Sequence, residues 1–577
     1  MMKGKYPEYP SDPISDIRDM FLKSTEKYAD RVALQHKRGG RWFRITYWDL
    51  RVAVEEAAGG LAASGLHSGE GKLAIVGENR PEWAISYLAA ATTGIVCVPI
   101  DKDLKETEVY HILYLSGARV LIADGKHIEM AADLQAKLPG LTTVVNMDGA
   151  DDDESGPMSF ERLRALGRGR MAAGKHDFLE SSVQPDDLLS ILFTSGTMGN
   201  SKGVMLTHRN VASNIVDAVK YVDLGREDRF LSVLPLHHSY ECTDGFLLGL
   251  YRGAQISYAE SLRRVLENMA ETRTTAMLGV PLLWHAMYRK IEAGLAERGM
   301  WKINAAKAVA RLSEALLHAD IRRSIFAELH RRFGGSLRIL ITGGAPIDPA
   351  VARGFRELGI TFLQGYGLTE SAPLIAVNRN KAFKDASVGL PLTSVDVRIA
   401  EDGEILARGP NIMMGYYNNP EATREALEDG WLHTGDLGYL DEDGFLYVQG
   451  RKKSVIVTLG GKKVYPEEVE AEICKSPYVL ECLVWGDSES DPSREHEVRA
   501  IVVPNIEYFI SQGLEKEGAV DAERVEEILR NEVKERCQNL APFKRVTRLT
   551  VRNEEFEKTT TKKIKRYLYT GRPAPMS

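Results

Sequence analysis

Cysteine is scarce here and unpaired. Five occur in 577 residues, at Cys97, Cys242, Cys474, Cys482 and Cys537, none in a C-x-x-C pair. An odd count, set mostly in apolar runs such as Gly94-Ile-Val-Cys-Val-Pro99, excludes a disulfide framework and a cysteine zinc site. Buried thiols in a reducing compartment are the expectation. No apolar run approaches the roughly 18 residues that a membrane-spanning helix needs. The opening Met1-Met-Lys-Gly-Lys-Tyr-Pro-Glu-Tyr-Pro10 has no apolar core of a signal peptide, so a cytoplasmic location is expected. Excess charge is lacking too. Lys and Arg total 74 against 81 Asp and Glu, a net of −7. That gives no global reason to bind nucleic acid or an anionic bilayer. No nucleic-acid partner is expected, any membrane contact would be peripheral and local, and the oligomeric state stays open.

What is present is an ordinary globular composition, 44% hydrophobic and 27% charged, over about four domain-lengths of roughly 150 residues each. The apolar run Lys72-Leu-Ala-Ile-Val-Gly77 predicts a strand, Pro81 to Ala91 a helix, and Ile95–Ile100 and Ala118–Ala123 two more strands around a helix at Glu106 to Leu115. Such alternation predicts an α/β fold with parallel-type sheets. The acidic run Asp151-Asp-Asp-Glu154 and the Gly/Arg-rich Leu166 to Lys175 predict a solvated surface connection. Strands are expected again at Leu188, Leu231–Pro235, Thr275–Val280 and Leu337–Ile341, with a charged helical interval from Tyr288 to Phe333. Beyond Val388, short strands with turns predict a small β-rich subdomain. The expected organisation is a large body over 1–450, holding two parallel-type αβ sheets and the β-rich subdomain, a hinge at 451–453, and a small mobile α+β domain over 454–577.

Three Gly-rich stretches hold the candidate chemistry. In Ile191-Leu-Phe-Thr-Ser-Gly-Thr-Met-Gly-Asn-Ser-Lys-Gly-Val204 a strand runs into a loop with Thr194, Ser195, Gly196, Thr197, Gly199 and Lys202. Glycines free backbone N–H groups to face an anion, while hydroxyls and a lysine add donors and charge, so the loop is a candidate phosphate cradle. It is not a Walker A loop, because Lys202 is followed by Gly203. A plain surface loop is the other reading. The second stretch pairs Leu337-Arg-Ile-Leu-Ile-Thr-Gly-Gly-Ala-Pro346 with Ile360-Thr-Phe-Leu-Gln-Gly-Tyr-Gly-Leu-Thr-Glu-Ser371. Ligands bind at the carboxyl ends of such strands. Tyr366 offers a face for a base, Thr369 a hydroxyl, and Glu370 a hard oxygen for Mg²⁺. A turn with a helix cap would look the same. In the third, Trp431-Leu-His-Thr-Gly-Asp-Leu-Gly438 with Gly450 and Arg451, Asp436 could accept both ribose hydroxyls and Arg451 could brace the sugar. A hairpin with a charged turn is the alternative.

Together, from about Ile45 to Arg566 and in family order, these motifs resemble the adenylate-forming superfamily of acyl-CoA synthetases, luciferases and peptide-synthetase adenylation domains. Gly403-Glu-Ile-Leu-Ala-Arg-Gly-Pro410 and Gly415-Tyr-Tyr417 add further matches. The resemblance implies an AMP-forming carboxylate–CoA ligase that uses ATP, Mg²⁺ and CoA. It makes Thr194 to Gly203 the phosphate loop, Gly344, Ala345, Pro346, Tyr366 and Gly367 the adenine site, and Glu370 the metal ligand. Asp436 and Arg451 become the ribose elements, Lys453 the hinge, and Gly460 and Gly461 the CoA tunnel. His238, in Leu234-Pro-Leu-His-His-Ser-Tyr240, falls on the gate position, and His237, Tyr240 and Gly365 on the acyl pocket.

Two departures stand out. Ser201 occupies a usual proline position, and Glu557-Lys-Thr-Thr-Thr-Lys-Lys563 replaces Pro-x-Thr-x-x-Gly-Lys, which makes Lys563 the catalytic lysine with Lys562 its rival. The basic end, ten Lys and Arg against three Glu from Pro542 to Ser577, fits a domain that must meet ATP and CoA. The interval Tyr288–Phe333 resembles an insertion of bacterial long-chain fatty acyl-CoA synthetases, so a fatty acid is expected. The alternatives are an aromatic or alicyclic acid, or an acyl-AMP ligase serving a carrier protein.

Overall fold

The computed structural model describes residues 6, 8–69, 71–149, 156–194, 201–297, 299–458, 461–486, 497–516, 519–558 and 564–570. The chain divides into two compact units. The first comprises Met1–Val397, Ala407–Leu432 and Asp441–Leu446, and the second comprises Arg398–Leu406, His433–Leu440 and Tyr447–Ser577. Among the described residues no helix is long and apolar enough to cross a membrane.

Two sheets form the frame of the first unit. One has eight strands in the order Gly415–Tyr416, Gly203–Thr207, Leu188–Phe193, Val96–Ile100, Lys72–Val76, Val120–Ala123, Thr143–Asn146 and Met158–Ser159. Its pairs from Leu188–Phe193 onward are parallel, and the two preceding it are antiparallel. The other has nine strands, with Ala276–Gly279, Ile339–Thr342 and Thr361–Gly367 parallel neighbours near its middle. The expected strand–helix alternation is present. Pro81 opens the helix Pro81–Thr93 with its φ already set for helix, and Gly94 closes it in the left-handed region at φ 72°. Parallel strands are buried on both faces, which explains continuous apolar runs such as Val120–Ala123, all four residues buried.

The helical interval packs on the nine-stranded sheet. Trp284, on the helix Pro281–Ala296, meets Phe355 and Phe362 edge-on, and those two rings stack at 5.3 Å. This aromatic cluster underlies the strands Ile339–Thr342 and Thr361–Gly367, whose carboxyl ends bear the second Gly-rich stretch.

The supposed connection at 166–175 is instead largely a helix, Phe160–Ala172, capped by the Ser159 hydroxyl, which accepts from the Arg162 N–H. Its glycines are packing residues. A Cβ on Gly167 would lie 1.8 Å from the Glu56 carbonyl oxygen, and one on Gly60 would lie 2.1 Å from that of Leu163. The helices Tyr47–Ala63 and Phe160–Ala172 therefore touch backbone to backbone. Arg164 reaches the buried Glu56 carboxylate at 2.6 Å and Arg168 at 3.1 Å. Arginine and glycine that suggest solvent in one dimension here build a close helix pair.

In the second unit the strands carrying 398–406, 433–440 and 447–451 are neighbours in one sheet, which is why the first two stretches belong with the C-terminal part. A three-stranded sheet of Val479–Gly486, Val498–Pro504 and Arg548–Val551 packs on the helices Pro466–Ile473 and Ala522–Cys537. Val469, Ile473, Val484, Val502 and Leu529 fill the space between them. Gly167→Ala should cost about 3 kcal/mol of stability, read as a lower urea midpoint of the full-length protein, whereas Gly169→Ala, with open space around it in the same helix, should raise the midpoint slightly.

Candidate active site

The hairpin Leu188–Phe193 to Gly203–Thr207 closes the base of the first Gly-rich loop. Thr194 donates its N–H to the Lys202 carbonyl at 3.0 Å, and the Ser201 hydroxyl donates to the Thr194 carbonyl at 2.7 Å. Ser195, Gly196, Thr197 and Gly199 lie outside the described residues. Lys202, half-buried, stands 5.0 Å from the centre of the Tyr416 ring. At that distance the ammonium is drawn to the negative ring face.

Tyr416 joins the loop to the second stretch. Its phenol donates to Glu370 Oε1 at 2.9 Å, and the Met413 N–H donates to the Glu370 carbonyl at 2.9 Å. Glu370 lies in the short turn Thr369–Ser371, directly beyond the strand Thr361–Gly367. The buried amides of Asn214 and Asn411 both donate to the Leu374 carbonyl at 2.8 Å, fixing the chain that leaves this turn. A Cβ on Gly367 would lie 1.9 Å from the Pro373 oxygen, so no other residue fits there. Tyr366 is half-buried, while Gly344, Ala345 and Pro346 are exposed beyond Thr342, with Gly344 at φ 83°. With one oxygen of Glu370 bonded to Tyr416, the other suits a hard cation.

The segment Leu234–Tyr240 is gripped by Asn79, which lies beyond the carboxyl end of the strand Lys72–Val76. Its Nδ2 donates to the Leu234 carbonyl at 2.6 Å and to Ser232 Oγ at 3.0 Å, and its Oδ1 accepts from the Leu236 N–H at 2.9 Å. His237 is buried, with Nε2 3.5 Å from Asp101 Oδ1, and its ring centre lies 4.1 Å from that of half-buried His238. Tyr240 donates weakly to the Ile341 carbonyl at 3.4 Å and lies against Gly343, whose Cβ would meet its ring at 3.1 Å. The absent side chain of Gly365 points at Leu374 of the neighbouring strand.

Tyr240 also starts a π-helix, Tyr240–Leu247, that carries two buried acids. Burial pushes Glu241 up to about 8, with a bond to Ser232 opposing the shift. Burial also raises Asp244 well above the carboxylate range, and neither of its oxygens meets a donor among the described residues.

In the second unit, Arg451 Nε lies 2.9 Å from Asp436 Oδ1, and Arg451 also donates to the Thr434 carbonyl at 3.2 Å. Lys453 is exposed in the turn Lys452–Ser454. Next to it, Lys452 bonds the buried Glu404 at 2.8 Å, which with the Gly435 N–H outweighs burial and keeps that carboxyl below its ordinary range. Gly461 is exposed at φ 70°, and Gly460 is outside the described residues. So are Lys562 and Lys563, but Lys558 and Ile564 on either side form an antiparallel bridge. Arg566 follows, anchored on Glu470 and on the Val484 carbonyl.

Asn79, Asp101 and the chemical role of Tyr416 escape sequence reading. Position was the only signal for the first two: both follow the carboxyl end of a predicted parallel strand, where ligand-facing polar groups gather.

Residues 21–417 match the family described as AMP-binding enzyme. The long-chain-fatty-acid–CoA ligase FadD15 of Mycobacterium bovis is 33% identical over 490 residues, 82% of this chain and 80% of that protein. Feruloyl-CoA synthase of an Amycolatopsis species is 32% identical over 474 residues, 80% of this chain and 84% of that protein. Among solved structures, the anthranilate CoA ligase AuaEII in complex with anthranoyl-AMP superposes with a TM-score of 0.74 at 21% identity, covering 98% of each chain.

Two measurements check the site. Tyr416→Phe removes the donor to Glu370 and should slow ATP–pyrophosphate exchange about tenfold while leaving the melting temperature close to the parent's. For Glu241, the unfolded carboxyl ionises near pH 4.3 and the folded one near pH 8. The native state therefore holds the extra proton between those values, and the parent loses stability as pH rises through that window. Glu241→Gln should gain on the parent as pH rises from about 5 to about 8 and level off above it, measured by urea unfolding across pH.

Proposed function

The chain belongs to the AMP-binding enzyme family, and from that premise we propose that it activates a fatty acid with ATP and transfers the acyl group to CoA. It is an AMP-forming acid–thiol ligase. The observation that carries the site assignment is the array Lys202–Tyr416–Glu370. It brings an ammonium at the foot of a Gly-rich loop to the ring of one tyrosine and a carboxylate suited to Mg²⁺ to its hydroxyl.

Bringing a carboxylate to a triphosphate is opposed by like charge, so the protein's task is to position the two and neutralise them. The Thr194–Lys202 loop holds the β- and γ-phosphates that leave as pyrophosphate. Tyr366 stacks on adenine beside Gly344, Ala345 and Pro346, and Thr369 donates to the α-phosphate. Asp436, oriented by Arg451, accepts the ribose hydroxyls. Glu370 would hold Mg²⁺, which supplies charge neutralisation at the phosphates. Lys563 bridges the acid's carboxylate and the α-phosphate during attack. The thiol of CoA then attacks the acyl carbonyl and AMP leaves. For that step the small domain turns about Lys453, Gly460 and Gly461 line the pantetheine path, and His238 gates it beside the acyl pocket of His237, Tyr240 and Gly365.

The FadD15 relative supports a long-chain acid, and the feruloyl-CoA synthase relative keeps an aromatic acid as the second reading. A panel of carboxylates assayed for AMP release with ATP, Mg²⁺ and CoA tests both. Long-chain acids should give the highest kcat/KM, and release should depend on CoA without a carrier protein. Preference for hydroxycinnamic acids would reassign the substrate class, and turnover only with a carrier would overturn the CoA reading. Lys563→Ala should lower adenylation by about 100-fold or more, while Lys562→Ala stays near the parent. The reverse result would exchange the two lysines.

A further inference from the structure

The helix Met300–Leu317, in the interval that resembles a fatty acyl-CoA synthetase insertion, has apolar residues on two opposite faces. The inner face is accounted for: Ala310 is buried, and Ile303 and Ala306 pack on the core around Trp284. The outer face is not. Trp301, Val309, Leu312 and Leu316 are 72%, 55%, 58% and 69% exposed, and Ala305 is exposed between them. At about 100° per residue these five side chains fall within an arc of about 80°. They make one continuous stripe about 22 Å long, rather than scattered surface hydrophobics. Lys302 stands exposed on one flank of the stripe and Arg311 on the other.

We propose that this stripe is a docking surface for an anionic lipid bilayer, on which the helix lies parallel to the membrane plane. Charge selects the occupant. From Tyr288 to Phe333 there are ten Lys and Arg against five Asp and Glu, a local excess of five positive charges in a chain whose net charge is −7. That positive excess draws the interval toward anionic headgroups although the chain as a whole is acidic. An apolar face holding tryptophan and leucine, flanked by lysine and arginine whose stems can reach up to the headgroups, has the make-up of an interfacial helix. A second copy of the chain is the poorer occupant. A stripe about 22 Å long and about 10 Å wide offers roughly a quarter of the ~800 Å² per partner that a stable interface needs. The proposal stands on the surface itself and holds whichever acid the enzyme activates.

Flotation of the full-length protein with vesicles tests it, without any substrate. The parent should float with vesicles of equimolar phosphatidylglycerol and phosphatidylcholine, and much less with phosphatidylcholine alone. Leu312→Glu with Leu316→Glu should lower the bound fraction about tenfold or more, and Lys302→Glu should lower it less. The double variant's melting temperature and its turnover of a short, water-soluble acid should match the parent's, since neither residue touches the core or the site. Equal flotation of parent and double variant would overturn the proposal. So would a parent that does not float but sediments as a dimer which the double variant splits, because the stripe would then belong to a second copy.

Discussion

One short edge pairing organises the site of the large unit. The two residues Gly415–Tyr416 add antiparallel to Gly203–Thr207, the strand that leaves the first Gly-rich loop. In that register the Tyr416 phenol reaches Glu370 while its ring receives Lys202. Little freedom is left at this joint. Gly415 sits at φ 142°, where a Cβ would meet Thr423 at 2.7 Å, and the Thr423 hydroxyl accepts the Tyr416 N–H at 2.9 Å. On the facing strand, a Cβ on Gly203 would press on Ile191 at 2.9 Å. Cation and carboxylate come from segments about 170 residues apart, and neither sheet by itself would bring them together. The edge strand converts two loop ends into one electrostatic unit.

The fold was largely readable because its strands are buried on both faces and its helices carry strong end signals. Lys72–Val76 and Val120–Ala123 lie inside apolar runs, and Pro81 and Gly94 mark a helix at both ends. Where the reading failed, the deciding partner lay far along the chain. Leu166 to Lys175 has the composition of a linker, and only the backbone of Glu56 and Gly60, more than a hundred residues earlier, makes Gly167 a packing residue. The site divides in the same way. Glu370, Lys202, Asp436 and Arg451 could be named from motifs, since each sits at a fixed offset from glycines. The bonds that orient them could not. A two-residue strand such as Gly415–Tyr416 has no periodicity to detect, and Asn79 looks like any asparagine before a proline-led helix.

The segment Leu234–Tyr240 shows what those unseen partners contribute. The Asn79 amide does for Leu234 and Leu236 what a neighbouring strand would do, satisfying one carbonyl and one N–H where no strand is available. Through Ser232 the same side chain is linked to Glu241, a carboxyl whose burial disfavours its charge. A polar thread thus passes from the carboxyl end of an interior strand to the start of the π-helix. Buried polar threads specify a single arrangement because their members cannot be re-paired cheaply.

Ser201 departs from a family pattern and ties its loop down by another route. A proline there would stiffen the chain through its fixed φ, whereas the serine hydroxyl ties the loop's exit back to the Thr194 carbonyl at its entrance. The loop's two ends, on either side of positions 195–200, are thereby held together. The closure entropy of a loop pinned in this way grows slowly, by about 0.6 kcal/mol for each doubling of length. Its length and sequence can therefore drift without unfolding the hairpin beneath it. Natural variation among close homologues should accumulate at those six positions in whatever form still presents donors to an anion, while Thr194, Ser201 and Lys202 change together or not at all.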